Sequence, residues 1–279
     1  VGEWGDSGGA GASSHSGRVR RLARTWLHAR RRPLVLRGAV GELMPYGALL
    51  WNLATLPHLV PRGRVRVSDK PTFVFCKEDH PLVRDQSFPA PSVTMTMETA
   101  EFVRRLQLHT FAEAGTSPPP LRYSGAPERY YMQADVPSSL VDGGEVPRLW
   151  RQLGAQAQPL RLWVSTGGAV TPLHFDSAHS FLAQLRGRKR VTFFPPKSIG
   201  GLYPYPIDHP LARRSRVDLC APRAERDAIF PRFTAEAEPF ARQIVLEEGD
   251  ALFFPAHWWH HVETLSPVSF SITCRYTSS

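Results

Sequence analysis

The chain has 279 residues and a formal net charge of +9, and it is long enough to bury the core of one large β-rich domain or two modest ones. Its three cysteines, Cys76, Cys220 and Cys274, are far apart and form no CxxC pair, which argues against a disulfide framework and a structural zinc site. No apolar run approaches the roughly 18 residues that a membrane span requires. We therefore expect an intracellular protein of the cytoplasm or nucleus, without a membrane partner.

The positive charge is concentrated near the N-terminal end. Residues 1–40 contain eight arginines against Glu3 and Asp6, which leaves a charge of only +3 on the remaining 239 residues. We interpret this run as the solvated face of a helix, and a basic arm that contacts RNA or an acidic partner is the alternative. Because the chain begins with Val1, we expect a fragment or a processed product, which leaves an organelle-targeting segment open.

The first 125 residues predict a disordered segment followed by a mixed unit. Residues 1–17 are rich in Gly, Ser and Ala and are predicted to be disordered. Residues 18–125 are predicted to form a helical and mixed part that packs on the core. Within it, the spacing of apolar residues predicts helices at 17–32, 47–59 and 98–113, strands at 33–37, 65–67 and 72–75, and a loop at 80–92.

Residues 126–279 are predicted to form a β-barrel domain. A strand is predicted at 129–134 and a short helix at 146–154. Eight further short strands, separated by Gly and Pro turns, are predicted at 160–165, 171–176, 180–186, 189–194, 243–247, 251–255, 258–265 and 268–276. The absence of comparable helices between them indicates a sandwich or barrel. The predicted fold class is mainly β with flanking helices (α+β), built around a double-stranded β-helix, the jelly-roll or cupin barrel.

Two segments of this barrel carry candidate metal ligands. In Thr171-Pro-Leu-His-Phe-Asp176, residues two apart on a strand point the same way, so His174 and Asp176 share a face. In the second segment, Trp258, His260 and Val262 form the less polar face, which predicts that His260 points inward. Two histidines and one carboxylate leave three adjacent metal positions open, as in non-haem Fe(II) oxygenases. Taken alone, the first pair also fits a hydrogen-bonded pair in a β protein.

Together with their neighbours, these segments resemble the JmjC oxygenases. The motifs that carry the resemblance are Thr-Pro-Leu-His174-Phe-Asp176, Phe181-Leu-Ala-Gln-Leu-Arg-Gly-Arg-Lys189, Leu202-Tyr-Pro-Tyr-Pro206, Glu248-Gly-Asp250 and Phe254-Pro-Ala-His-Trp-Trp-His260. Within that family, the resemblance is closest to the asparaginyl hydroxylase that inhibits hypoxia-inducible factor. It covers residues 128–276 well and residues 30–115 only in outline.

The resemblance implies roles for eight residues. They are the iron ligands His174, Asp176 and His260, the groups Lys189, Thr171 and Tyr131 that bind the far carboxylate of 2-oxoglutarate, and the substrate-binding residues Gln133 and Arg213. Alternation places Lys189 on an apolar strand face, as a buried cation for that carboxylate requires. Thr171 has the opposite parity to His174, so its inward orientation rests on the resemblance.

Three residues near this set depart from the pattern of that hydroxylase. Arg214 stands where a glutamine is expected beside the target side chain. Ser180 and Arg275 stand where two asparagines are expected near the cosubstrate. Lys189, Thr171 and Tyr131 still match, so the resemblance implies binding of 2-oxoglutarate, whereas Arg214 leaves the target residue open.

The sequence predicts a dioxygenase that uses Fe(II), 2-oxoglutarate and O2, supported by ascorbate, to hydroxylate a side chain of a protein or peptide substrate. One alternative is a non-catalytic cupin that only binds a partner. Another is a JmjC enzyme that acts on RNA or on methylated lysine, for which the arginine-rich N-terminal segment is the best feature. A zinc-dependent cupin isomerase fits least, since such sites usually use more histidines.

Overall fold

The structure is a computed structural model that describes residues 2–4, 32–43, 50–113, 129–137, 156–157 and 159–277. Its strands are β1 Gly2–Trp4, β2 Leu34–Leu36, β3 Arg62–Ser68, β4 Val93–Glu98, β5 Arg129–Asp135, β6 Gln156–Ala157, β7 Arg161–Thr166, β8 Val170–Phe175, β9 His179–Arg186, β10 Lys189–Phe194, β11 Arg242–Leu246, β12 Ala251–Phe254, β13 Trp259–Thr264 and β14 Val268–Thr277. Its helices are α1 Val40–Leu43, α2 Leu56–Leu59, α3 Pro81–Arg84, α4 Thr99–Glu113, α5 Arg223–Ile229 and α6 Pro231–Glu236. Two 3-10 segments cover Pro196–Leu202 and Glu238–Phe240.

Two sheets face each other across an apolar core. The larger sheet has the order β1-β2-β12-β9-β14-β7-β5-β3-β4, with β6 beside β14, and the smaller has the order β11-β10-β13-β8. Leu182 and Leu252 of the larger sheet pack in one cluster with Val191, Phe193 and Ile244 of the smaller sheet. This arrangement of sequence-distant strands is the predicted jelly-roll core, and the fold prediction is confirmed.

The larger sheet separates two environments because its side chains alternate. On β14, Phe270, Ile272 and Cys274 belong to an apolar cluster that also contains Phe102 and Leu106 of α4. The residues between them on β14 point to the opposite side, toward the smaller sheet. One face of the sheet is therefore covered by helix α4, and the other is free to form a cavity.

The predicted strands of the barrel are confirmed within one or two residues at each end. Their strong β pattern and the Gly and Pro turns between them make these boundaries readable. The predicted strand at 129–134 and the helix at 98–113 are also confirmed, as β5 and α4. The predicted helices at 17–32 and 146–154 fall on residues that the structure does not describe, apart from Arg32.

The helix predicted at 47–59 is wrong for residues 51–55, and only α2 is helical there. The Asn52 side chain accepts hydrogen bonds from the backbone N–H groups of Ala54 at 2.9 Å and Thr55 at 3.1 Å. Such a local side-chain turn competes with helix formation, and spacing of apolar residues does not reveal it. Residues 44–49 lie outside the described part.

Other N-terminal predictions differ from the structure in detail. The predicted strand at 72–75 is reduced to a bridge between Thr72 and Val170, because no partner continues the ladder. The predicted loop at 80–92 contains α3, and the edge strand β4 follows it, which the sequence reading missed. Residues 2–4, which composition assigns to a disordered segment, pair in parallel with β2 through backbone contacts that do not depend on side-chain hydrophobicity.

The long connection between β10 and β11 was not assigned elements from the sequence. It contains the two 3-10 segments, α5 and α6, and it packs on the outer face of the smaller sheet. Phe233 of α6 lies in a buried cluster with Leu173 of β8 and Trp259 of β13. This connection supports the two strands that carry the candidate metal ligands. None of the helices within the described ranges is long and apolar enough to cross a membrane.

The Glu248-Gly249-Asp250 motif has a structural role at the entry to β12. The Asp250 carboxylate is almost fully buried and accepts hydrogen bonds from Arg37 Nη1 at 2.6 Å, Gly38 N at 3.0 Å and Glu247 N at 2.9 Å. Gly249 adopts φ +93°, which side chains of other residues disfavour. One carboxylate therefore joins the turn before β12 to the residues that follow β2.

We expect Asp250→Ala to lower the free energy of unfolding by roughly 2–4 kcal/mol, because it removes the acceptor of two backbone N–H groups and of one guanidinium. Urea unfolding monitored by circular dichroism measures the change. Asp250→Asn keeps one acceptor oxygen and should lose less, while exposed Asp208→Ala serves as the control. A loss for Asp250→Ala no larger than that for Asp208→Ala would contradict this role.

Candidate metal centre and its cavity

The two candidate histidines lie opposite each other on neighbouring strands of the smaller sheet. His174 of β8 pairs directly with His260 of β13, and the centroids of their rings are 4.2 Å apart. Asp176 follows the end of β8, and ligand atoms of all three residues lie within 4.8 Å of one another. The strand pairing thus brings together two segments that are about 85 residues apart in sequence.

Backbone carbonyls set the orientation of both imidazoles. Nδ1 of His174 lies 2.8 Å from the carbonyl oxygen of Pro172, and Nδ1 of His260 lies 3.0 Å from that of Trp258. A carbonyl can only accept, so each Nδ1 carries the proton and donates it. This leaves both Nε2 atoms unprotonated, as metal ligation by histidine requires.

The three groups are held in the protonation states that bind a metal ion. Burial, together with the charge of His260, keeps the pKa of His174 well below its ordinary value, and burial also lowers the pKa of His260. Burial alone would raise the pKa of Asp176, but the charge of Arg275 and of the two histidines lowers it overall. Near neutral pH the set therefore presents two neutral imidazoles and one carboxylate, which fits Fe(II) or a similar divalent cation.

A β-bulge explains why Thr171 and His174 share a face despite their opposite parity. The ladder pairs His260 with His174 and Val262 with Thr171, so Pro172 and Leu173 together oppose the single residue His261. Leu173 is buried on the outer face, while Thr171 and His174 both line the cavity. Strand β8 lies at the edge of its sheet, where a bulge and a proline are both tolerated.

Lys189 is the most unusual group in the cavity. Its side chain is 1% exposed, and Nζ donates a hydrogen bond of 2.6 Å to the hydroxyl of Ser271. It has no carboxylate partner within 4.0 Å in the part of the chain that the structure describes, and burial lowers its pKa to about 7. A buried cation with a single neutral acceptor fits an anionic ligand that completes its coordination.

Tyr131 and Thr171 lie beside this lysine. The ring of Tyr131 is centred 5.9 Å from Lys189 Nζ, and both hydroxyl side chains line the same cavity. Burial raises the pKa of Tyr131 to about 12, so its hydroxyl remains a neutral donor. One cation and two hydroxyls can replace the water around a carboxylate, which fits the far end of 2-oxoglutarate.

All eight residues predicted from the sequence line one cavity of about 480 Å³. With the Gln133 amide oriented to satisfy its hydrogen bonds, Oε1 accepts from Arg161 Nη1 at 2.6 Å. Arg213 adopts φ +68° and donates from Nη1 to the hydroxyl of Ser177 at 3.2 Å. The structure places these two residues in the same cavity as the metal ligands, while their contact with a substrate stays a prediction.

The sequence reading did not find the contact between Arg275 and Asp176. Arg275 Nη2 donates to Asp176 Oδ2 at 3.0 Å, so the arginine binds the carboxylate of a metal ligand. Ser271, Thr273 and Arg275 alternate along β14 and all line the cavity. Alternation on the last predicted strand was the signal that could have identified this set. Ser180, the other departure, is buried with no hydrogen-bond partner for its hydroxyl among the described residues.

Comparison with known proteins identifies the family. A family model described as a cupin-like domain matches residues 20–279, and the chain belongs to this family. It is 37% identical over 121 residues to HSPB1-associated protein 1 of Rattus norvegicus, a match that covers 43% of this chain and 24% of that protein.

Two other relatives carry JmjC-type names. The chain is 32% identical over 117 residues to Jumonji C domain-containing protein 5 of Drosophila melanogaster, with 42% of this chain and 27% of that protein covered. It is 36% identical over 121 residues to Lysine-specific demethylase JMJ30 of Arabidopsis thaliana, with 43% and 26% covered. The matched region spans about a quarter of the length of each of these three relatives.

We expect Lys189→Met to stabilise the ligand-free protein by roughly 1–4 kcal/mol at pH 6, because it removes an uncompensated buried cation. The pKa of Lys189 is about 7 in the fold against 10.5 ordinarily. The unfolded chain therefore binds more protons between these values, and wild-type stability should rise with pH across that window. The gain from Lys189→Met is then largest below pH 7 and fades toward about pH 10.

Urea unfolding of both proteins at pH 6, 8 and 9.5 measures this dependence. Lys70→Met, at an exposed position, is the control and should show no pH-dependent gain. A constant difference between wild type and Lys189→Met at all three pH values would show that the buried charge is not the cause.

Proposed function

We propose that the protein is an Fe(II)- and 2-oxoglutarate-dependent dioxygenase that hydroxylates a side chain of a protein substrate. The observation that carries this proposal is one cavity that contains both a His-Asp-His set and a buried lysine with no carboxylate partner among the described residues. Iron(II), when bound with 2-oxoglutarate, supplies the oxidative chemistry that inserts an oxygen atom from O2 into a C–H bond. The JmjC-type names of the relatives support the same reaction class.

The residues of the chain would hold and orient the reactants. His174, Asp176 and His260 would bind the metal on one face and leave the opposite positions open for cosubstrate and oxygen. Lys189, with the Thr171 and Tyr131 hydroxyls, would hold the far carboxylate of 2-oxoglutarate. The geometry therefore supports binding of both groups in one place.

Apolar side chains line the cavity beside these polar groups. They are Leu182, Val191, Phe193, Leu252 and Phe254. They place apolar surface beside the metal ligands, which strengthens the charge interactions inside the cavity. This environment suits the oxidation of a C–H bond in a substrate bound within the cavity.

The substrate would enter on the side of Gln133 and Arg213. An amide and a guanidinium at this position can hydrogen bond a peptide backbone or a carboxamide side chain. Asparagine is therefore the first target residue to test, in line with the resemblance to asparaginyl hydroxylases. Arg214, in place of the expected glutamine, makes a different target residue equally testable in the same screen.

Two other functions are less well supported. A non-catalytic binding module would have no need of a buried lysine, whose charge is costly without a bound anion. Demethylation of methyl-lysine is the function in the name of the Arabidopsis relative. Eight cationic and three acidic side chains line the cavity here, a net charge of +5 that would oppose a cationic methyl-lysine.

We expect the protein, supplied with Fe(II), ascorbate and 2-oxoglutarate, to release succinate, and His174→Ala and Asp176→Ala to reduce this turnover to background. Each variant removes one of three metal ligands, so metal binding and turnover are lost together. Exposed His58→Ala is the matched control and should retain full turnover.

A peptide-library screen read by the mass gain of one oxygen atom, with 2-oxoglutarate omitted as the control, identifies the substrate. Co(II) titration followed by visible absorption tests the metal site independently of turnover. Turnover at the wild-type rate in either His174→Ala or Asp176→Ala would refute the assignment of the metal ligands.

A further inference from the structure

The cationic side chains of the cavity divide into those with acidic partners and those without. Arg64 and Arg66 both bind Glu78, Arg66 at 2.9 Å. Arg275 binds Asp176 at 3.0 Å. These three arginines have acidic partners within the protein, and Glu78 and Asp176 balance two of their three charges.

Arg213 and Arg214 lack such a close acidic partner. Neither has a carboxylate within 4.0 Å in the ranges that the structure describes. Arg213 makes one side-chain hydrogen bond, to Ser177, and Arg214 makes one at 3.3 Å to the carbonyl oxygen of Ala212. Two adjacent guanidinium groups, which carry ten N–H donors between them, therefore use two of these donors within the described part of the protein.

The backbone holds this arginine pair beside the metal ligands. Arg214 forms a β-bridge with His174, and the carbonyl oxygen of Arg213 accepts from Phe175 N at 3.0 Å. On the other side, the carbonyl oxygen of Arg214 accepts from Tyr205 N at 2.9 Å. Arg213 is also one of few non-glycine residues here with positive φ, a strain that proteins retain mainly at functional positions.

We propose that the Arg213–Arg214 pair binds a carboxylate of the substrate, so that the oxidised residue of the peptide is, or lies beside, an aspartate or glutamate. This inference rests on the proposed function, since it names the substrate class of the same site. Two guanidinium groups beside the metal ligands could bind a carboxylate through charge-assisted, fork-like hydrogen bonds. Fe(II) and 2-oxoglutarate carry opposite double charges, so their binding leaves the cavity as cationic as before.

A nucleic acid is another anion that the arginine pair could bind, but the charge pattern of the described surface favours an acidic peptide. Among the described residues outside the cavity, several exposed or half-exposed arginines are paired with acidic residues, as in Arg62–Glu98, Arg186–Glu248, Arg190–Glu263 and Arg223–Glu238. A phosphate backbone needs an extended basic face that these acidic partners interrupt. The charge of Arg213 and Arg214 is confined to the cavity, which suits one or two carboxylates.

The test uses two matched peptide libraries with the full chain, Fe(II), ascorbate and 2-oxoglutarate. One library carries a single Asp or Glu at each position within three residues of a central oxidisable residue, and the other carries Asn or Gln there. The central residue itself is varied between Asp and Asn. The mass gain of one oxygen atom gives kcat/KM for each peptide, and succinate release is recorded in parallel.

We expect wild type to oxidise the best acidic peptide about tenfold faster than its amide partner, as one charge-assisted pair allows. Arg214→Gln should reduce this ratio to about twofold or less, and Arg214→Lys should give an intermediate ratio because it keeps the charge and loses the fork. Exposed Arg242→Gln should leave the ratio unchanged. Thermal melting of each variant shows whether the fold is retained.

Equal rates for acidic and amide peptides, with succinate still released, would overturn this inference and leave the proposed function standing. So would an equal loss on both libraries in a folded Arg214→Gln protein. Oxidation of a single-stranded RNA oligonucleotide of mixed sequence that added poly-glutamate does not inhibit would also overturn this inference, because it would show that the substrate is RNA. Absence of succinate in wild type would overturn both proposals.

Discussion

The site depends on the antiparallel pairing of β8 with β13, which sets His174 opposite His260. A shift of one residue in this register would turn one imidazole to the outer face of the sheet. Two features hold the register. The bulge at Pro172 and Leu173 fixes where the ladder changes phase, and Leu173 is locked into the apolar cluster beneath the β10–β11 connection. The helices of that connection therefore act on the metal site without contacting it, because they hold the edge strand that carries it.

The cavity is organised by charges that the protein itself does not fully balance. Asp176 is stabilised as a carboxylate by Arg275, whereas buried Lys189 has, among the described residues, only the Ser271 hydroxyl as a hydrogen-bond partner. The free energy that a buried cation costs in the empty protein is recovered when an anion binds it. A residue of this kind lowers stability and persists because ligand binding needs it, the usual relation between function and stability at such sites. The cavity is in this sense shaped for a cation at one end and a carboxylate at the other.

Much of the barrel and of the candidate site could be predicted from the sequence because strand alternation and turn residues are simple patterns. Alternation on the strands predicted the inward orientation of His260 and the apolar neighbours of Lys189, and turn residues marked the strand ends. Alternation did not predict the inward orientation of Thr171. A bulge inserts one residue between Thr171 and His174, and only the pairing of β8 with β13 reveals it. The helix prediction across 51–55 was wrong because the Asn52 side chain accepts hydrogen bonds from two backbone N–H groups and forms a local turn there. The contact of Arg275 with Asp176 joins residues 99 positions apart, so alternation on β14 could place Arg275 on the cavity side but could not identify its partner.

Electrostatics then separates the substrates that one metal centre can serve. In the proposed function, Fe(II) and 2-oxoglutarate cancel in formal charge, so the cavity would meet its substrate with the same excess of cationic side chains. A unit charge about 8 Å away contributes about 2 kcal/mol at an effective dielectric constant of about 20, or roughly thirtyfold in affinity. One such interaction favours binding of an acidic peptide and opposes binding of a cationic one. The resulting difference in binding free energy between the two peptides exceeds the roughly 1–3 kcal/mol that an extra methylene contact provides. Under the proposed function, the arginines of the cavity, more than the metal ligands themselves, would therefore select the substrate.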